Sequence, residues 1–364
     1  MDVPAFTEDW EETKRRWDAF WDGGDVGRCL AWVTAPRERP LPGPAVRAVD
    51  GDEARWTDFG YRRERLLAEC ARTFFGGEAF PRFWCDLGPN GLAGMLGARP
   101  HWDRDTVWFD REPLITDWER MPDLSLRRDG TFVRLVLNMT RRFAAEAAGR
   151  YVMGVTTMDT GLDVLAAMRG TQRLLTDLYD CPERVHEALR RVDAAFAGAL
   201  RWCTEAIGPD TDGYTAWMPL WAREPWHPIQ CDFAAMVSPE MFREFVVPCI
   251  RREAACMRRR IFHLDGPRMT DHLDVLLAMD DVDAVQWEPG DGASAVTDPC
   301  WYPMYRRIQE AGKRLILLNV HRPWELEGLL RQVSRRGLLV QTDVSSEGEA
   351  RSLLLSLERW SVVR

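Results

Sequence analysis

Eight short apolar or β-branched runs alternate with amphipathic helices along this sequence, and that rhythm predicts an α/β fold, a distorted (β/α)8 TIM barrel. Two further observations point the same way. Acids and histidines gather where the runs end, which is where a barrel carries its chemistry. A chain of 364 residues is also of a size that α/β barrels use as one domain. The expectation is a single domain over residues 1–364, in which residues 1–80 form a helical and irregular N-terminal extension contributing to the barrel.

The chain opens with "MDVPAFTEDWEETKRRW", the polar entry to an amphipathic helix, without the charged-then-apolar order of a signal peptide. The runs then follow as "CLAWVTA", "FPRFWCD", "YVMGVTT", "DGYTAWM", "RIFHLD", "DAVQWE", "RLILLNV" and "GLLVQTD". Between them, the four-residue rhythm of Val185, Leu189, Val192, Phe196 and Leu200 marks one long helix. In "SPEMFREF", Ser238 is placed as an N-cap with Pro239 in the first turn. Ser346 and Glu349 have capping-box spacing before the last apolar helix. Residues 35–60 and 88–130, rich in Pro, Gly, Asp and Trp, read as long loops over the barrel mouth or rim.

Composition excludes several classes. An apolar fraction of 46% and a charged fraction of 29% are ordinary for a soluble globular chain, and no apolar run approaches a membrane span. A net charge of -9 argues against nucleic acid as a partner. The nine cysteines are scattered without C-x-x-C, which fits reduced thiols in a cytoplasmic protein. Lysine occurs only at Lys14 and Lys313, the latter just before a strand, on a barrel's stability face, so Schiff-base chemistry is disfavoured. P-loop, nucleophile-elbow, H-E-x-x-H and dinucleotide fingerprints are absent.

Reading the strand ends gives Asp86, Asp159, Trp217, His263 with Asp265, Glu288, His321 and Asp343. Any single acid there can equally cap the next helix. "IFHLDGP" is sharper, because residues two apart on a strand share a face, so His263 and Asp265 present an imidazole and a carboxylate side by side. Such a pair can hold a metal, act as an oriented acid-base dyad, or satisfy itself in a core. As metal ligands the two need a third, from Asp232, Glu288, His321 or Asp343, and the nitrogen and carboxylate set suits zinc or another divalent cation. His227 in "REPWHPIQ" and nearby Arg223 are candidates for contact with an anionic or aromatic ligand, unless that loop is a packed lid. Trp217 and Trp287 are the candidate aromatic substrate contacts, and His272 reads as structural.

From about residue 80 onward the chain resembles the uroporphyrinogen decarboxylase superfamily, which contains the cobalamin-linked methyltransferases and is related to cobalamin-independent methionine synthase. The segments that carry the resemblance are "CDFAAMVSPEMFREFVVPCIRRE" followed by "IFHLDG", and "FWCDLGPNGLAGMLG", which places the decarboxylase's essential aspartate on Asp86. The later order "DAVQWEPG", "GKRLILLNV" and "GLLVQTDVSSEGEA" also fits. Departures are specific. The Arg-Gln-Ala-Gly-Arg propionate grip is missing, with Arg37 and Arg39 in "CLAWVTAPRERP" instead, and the C-terminal histidine has no counterpart. The zinc methyltransferases' His, Cys and later Cys become His263, Asp265 and a position near Thr342 or Asp343.

The resemblance implies a metal-dependent, methyltransferase-like enzyme moving a methyl group to or from a small-molecule substrate, with a corrinoid (cobalamin-carrying) protein as partner and a homodimer as its assembly. On that reading His263, Asp265, Glu288 and His321 are the metal ligands, and Asp86, Asp232 and Asp159 the catalytic acids. Arg37, Arg223, His227 and the two tryptophans hold substrate. Two alternatives stay open. One is a cofactor-free decarboxylase of a carboxylated, tetrapyrrole-like substrate, with Asp86 stabilising a protonated intermediate and Arg37 or Arg223 gripping a carboxylate. The other is a non-catalytic ligand-binding barrel.

Overall fold

The computed structural model describes residues 6–361 apart from 110 and 148. In chain order the strands are β1 (Leu30–Pro36), β2 (Thr73–Gly77), β3 (Arg82–Trp84), β4 (His101–Trp102), β5 (Val107–Trp108) and β6 (Val152–Gly154). They continue with β7 (Tyr214–Thr215), β8 (Ile229–Gln230), β9 (Ile261–Asp265), β10 (Ala284–Glu288), β11 (Arg314–Leu317) and β12 (Leu338–Asp343). The eight predicted runs account for all but β2, β4, β5 and β8. Of these, β2 follows the helix Phe59–Arg72 with no turn between them, and β8 is two residues long, so neither carries the length or punctuation that marks a strand in sequence.

The sheets are mostly parallel. A seven-stranded sheet runs β2-β1-β12-β11-β10-β9-β8, with only β2 antiparallel to its neighbour, and a three-stranded parallel sheet runs β3-β6-β7. Side-chain alternation then sorts the residues into two layers. Trp32, Val152, Ala216, Ile261, Ala284 and Ile316 meet in one apolar cluster fed by both sheets. Their opposite-facing neighbours, such as Phe83, Met153, Phe262, Val285 and Leu317, pack under the helices in a second cluster.

The N-terminal helix Trp10–Asp22 closes one end of the inner cluster with Trp10, Trp17, Phe20 and Trp21, all buried. Cations cap its C-terminus: Arg314 donates to the Phe20 and Trp21 carbonyls and Arg336 to that of Gly23. Arg314 begins β11 and Arg336 precedes β12, so this helix covers the N-terminal ends of the strands. Glu78, fully buried at the same end, accepts from Arg28, Arg16 and the Ala31 N–H.

The long helix spans Pro182–Ile207 and buries Val185, Leu189, Val192, Phe196 and Leu200, as the rhythm requires. Ser238 caps the Pro239 turn by accepting the Met241 N–H. At the last helix Ser346 Oγ accepts from the Glu349 N–H, but the Glu349 carboxylate reaches back to Ser345, one residue short of a true capping box. No described helix is long and apolar enough to cross a membrane.

Candidate metal centre

His263 shares the inward face of β9 with Ile261, and Asp265 follows two residues later at the end of the strand. β8 pairs in parallel with β9, setting Gln230 against His263, so the next turn delivers Asp232 to the same rim. One oxygen from each acid and one His263 ring nitrogen lie within 4.8 Å of one another. The sequence pair therefore has a third member in Asp232, one of the four third ligands the sequence offers and the one the resemblance casts as a catalytic acid.

The imidazole is fixed from two sides. Gln286 stands in register with His263 on β10, and its Oε1 meets Nδ1. An amide oxygen can only accept, so this contact selects the neutral tautomer with its hydrogen on Nδ1 and its lone pair on Nε2. The Trp217 and His263 rings meet nearly at a right angle, centroids 5.1 Å apart at 85°. This is the arrangement of a metal-binding histidine whose second nitrogen is anchored by a neighbouring acceptor.

Behind Asp232 lie two more carboxyl groups. Asp163 accepts the N–H groups of Asp232 (2.8 Å) and Phe233 (2.7 Å), and Asp159 accepts from Gln230 Nε2 (2.9 Å). Burial, then the neighbouring acids Asp163 and Asp232, push the Asp159 carboxyl well above the usual range. Burial and Asp232 lift Asp163 to about 7, against the pull of its two backbone bonds. Asp232 keeps solvent contact at the rim yet is crowded by protein, and this desolvation raises it too, with His263 opposing and Asp265 adding. Asp159, Asp163 and Asp232 share a cavity of ≈ 260 Å³ with Asn90, Trp108 and Met236.

A polar ladder extends along the strand ends. Glu288, level with Asp265 on the next strand, accepts from Asn319 Nδ2 at 3.0 Å. The Asn319 N–H reaches Gln341 Oε1 at 2.8 Å, Gln341 donates to Asp343, and Asp343 accepts from Thr34. Asn319 can turn here because an asparagine tolerates its φ of 56°.

Several sequence candidates lie elsewhere. Glu288 is on the rim but outside the three-residue group, and His321, past the Asn319 turn, is exposed and also outside it. His227 is fully buried, with Nδ1 on the Pro228 carbonyl and Nε2 accepting the Met158 N–H; burial pushes its pKa down to about 4. It is a neutral core histidine rather than a ligand contact. Arg223 pairs with Asp18 of the N-terminal helix, at the covered end. Trp287, wholly buried, faces the helix layer and packs on Trp301 at 5.0 Å, because strand alternation turns it away from Gln286 and Glu288. Arg37 is bound to the carbonyls of Phe6 and Thr73. Asp86 is half-buried, accepts from Thr157 Oγ1 and the Gly88 N–H, and lines a separate cavity. His272 stacks on Phe242 and meets the Ala234 carbonyl, as a structural histidine would.

Sequence reading missed Gln230, Gln286 and Gln341, and Asp163. The signal was there: three of the apolar strands, "PIQC", "AVQW" and "LVQT", each carry one glutamine. A buried amide needs a partner, so each pointed to polar company. Asp163, inside a helix, gave no such sign.

One imidazole and two carboxylates fit a divalent cation of the zinc, manganese or iron type, and the lone pair left on His263 Nε2 meets the same requirement. No protein-family model matches this sequence, and no curated protein matches it either. Among solved structures, the chain is similar to a methyltransferase from Methanosarcina mazei, with a TM-score of 0.59 over 95% of this chain and 98% of that one, at 14% identity. The two chains therefore share a fold, whose strand ends here carry the Asp232, His263 and Asp265 group.

Proposed function

We propose that this protein is a metal-dependent, methyltransferase-like enzyme acting on a small molecule, built on a distorted (β/α)8 barrel whose two sheets are arcs around one inner core. The observation that carries the reading is the convergence of ligand atoms of Asp232, His263 and Asp265 within 4.8 Å, with His263 Nδ1 against the Gln286 amide oxygen. The fold shared with a methyltransferase supports it. The resemblance to cobalamin-linked enzymes adds a corrinoid protein as the methyl carrier.

In this scheme Asp232, His263 and Asp265 would hold a divalent cation, zinc being the first choice, which would supply Lewis acidity toward an oxygen or sulfur acceptor group. Gln286 fixes the imidazole, and the Trp217 ring walls it from water. Asp159 lies close to Asp232, and burial pushes its carboxyl well above the usual range, which favours its protonated, proton-donating form. Asp86 belongs to the neighbouring cavity and serves substrate rather than metal.

Elemental analysis of purified protein, paired with methyl transfer from methylcobalamin to an added small thiol, which takes the methyl as a thioether and loses its proton while the demethylated cobalamin is followed by absorbance, tests the proposal. Stoichiometric divalent metal that disappears in His263→Ala, with loss of transfer, is the expected result. A folded wild-type protein that takes up no zinc, manganese, cobalt or iron would overturn it.

A further inference from the structure

A cavity of ≈ 490 Å³ lies between the helix Phe59–Arg72, the end of β3 and residues 104–105. Its lining includes Arg55, Arg62, Arg65, Arg82 and Arg104. None of the five forms an ion pair with a carboxylate among the described residues. Elsewhere this chain pairs its arginines closely, as in Arg28 with Glu78, Arg169 with Asp177 and Arg260 with Asp283.

The five are held by other means. Arg82 donates to the carbonyls of Ala216 (2.7 Å) and Trp217 (2.8 Å) and lies 4.4 Å over the Trp84 ring. Arg62 donates to the Trp56 carbonyl at 3.1 Å, and Arg55 Nε is buried with no partner. Carbonyl and ring contacts position a guanidinium without neutralising it. Three acids also line the cavity: Glu69 is bound to Arg72, Asp86 is hydrogen-bonded by Thr157 and Gly88 and acts on the Arg82 charge from beyond ion-pair distance, and Asp105 stands at the edge. Cation is in excess, in a chain whose net charge is -9.

We propose that this cavity binds the charged end of a small organic anion, through carboxylate or phosphate groups gripped by Arg62, Arg82 and Arg104, with the flat faces of Trp56 and Trp84 against its body. Guanidinium forks match both groups. These arginines come from the 52–72 helices, β3 and the loop after β4, not from the segment containing Arg37 and Arg39. Arg82 also ties the cavity to the metal centre, since the residue whose carbonyl it holds, Trp217, packs its ring on His263. Only the assignment of this anion as the substrate of the metal centre rests on the function proposed above; binding itself does not.

Calorimetric titration of the full chain in chelator, with tricarballylate and with inorganic phosphate, tests it. Saturable binding of at least one probe is expected, weakened about tenfold in Arg62→Gln and in Arg104→Gln. It should be unchanged in Arg243→Gln, an exposed arginine outside the cavity. Preference for one probe tells a carboxylate ligand from a phosphate ester. Absence of saturation with both, or equal weakening by Arg243→Gln, would overturn the proposal. With metal removed, either failure concerns the anion site alone, while metal titration of the same proteins reads the other reading separately.

Discussion

Gln286 and His263 face each other in register across β10 and β9, and the Gln286 oxygen takes the His263 Nδ1 hydrogen. Gln286 is 1% exposed, so its bond to the imidazole is shielded from solvent. Changing Gln286→Leu keeps the size but frees the ring and its tautomer. Metal affinity should fall roughly 10–100-fold, measured by competition with a chromophoric chelator. Gln286→Glu, which still accepts, should retain affinity. Equal binding by wild type and Gln286→Leu would mean that the hydrogen bond does not govern the imidazole.

Asp265 raises the proton affinity of Asp232 in the absence of a cation, a like-charge cost that a bound ion would remove. Asp265→Asn should therefore behave oppositely in two assays. The metal-free protein gains stability, by about 2 °C or more in Tm, while the further rise on adding zinc is lost. A destabilised apo variant that still responds to zinc would remove Asp265 from the ligand set.

How much of this was legible follows from the physics of each residue. A period-two pattern placed His263 and Asp265 on one face, and eight apolar runs located eight strands. What brought Asp232 to them was the two-residue β8, set by its pairing to β9 and invisible in local pattern. His227 and Trp287 were misplaced for opposite reasons. His227 sits between prolines that suggest a surface loop, yet it is buried with both nitrogens satisfied. Trp287 neighbours a true rim residue, but one step along a strand reverses the face. The arginine cavity escaped notice because its members are spread from 55 to 104, and only the fold collects them.

Asp159 gives a pH signature. Its folded pKa lies above its unfolded value, so the folded state binds more protons once pH exceeds the ordinary aspartate range. This contribution is neutral in acid, turns unfavourable as pH rises past about 4, and is complete above the raised value. Asp159→Asn can still accept from Gln230, and it should raise Tm by about 2–4 °C at pH 8 with little change at pH 4, in chelator. A uniform shift across pH would show that Asp159 is ionised in the fold.

Glu78 is the opposite case. Burial would raise its pKa, but Arg28, Arg16 and the Ala31 N–H together hold it below the usual glutamate range. Its stabilisation is present above the unfolded pKa of about 4.3 and is lost as pH falls through the lower folded value. Glu78→Ala strands the buried Arg28 guanidinium and should cost about 3–5 kcal/mol in urea unfolding. A loss below about 1 kcal/mol would show that water reaches and solvates Arg28.

Two tryptophans, one in each layer, separate stability from function. Trp287 is 0% exposed in the helix-facing layer against Trp301, whereas Trp217 is half-buried with its ring on His263. Trp287→Ala opens a large cavity and should cost about 3–5 kcal/mol. Because Trp287 faces away from the metal centre, the variant that remains folded should bind metal like the wild type. Trp217→Ala removes less buried surface and costs less stability, but it exposes the His263 ring to solvent and loosens its orientation, so metal affinity should drop several-fold. Urea melts and metal titrations of both variants give the four numbers needed. If Trp287→Ala weakens metal as much as Trp217→Ala does, the two layers are not independent, and the inward face of β10 does not alone support the centre.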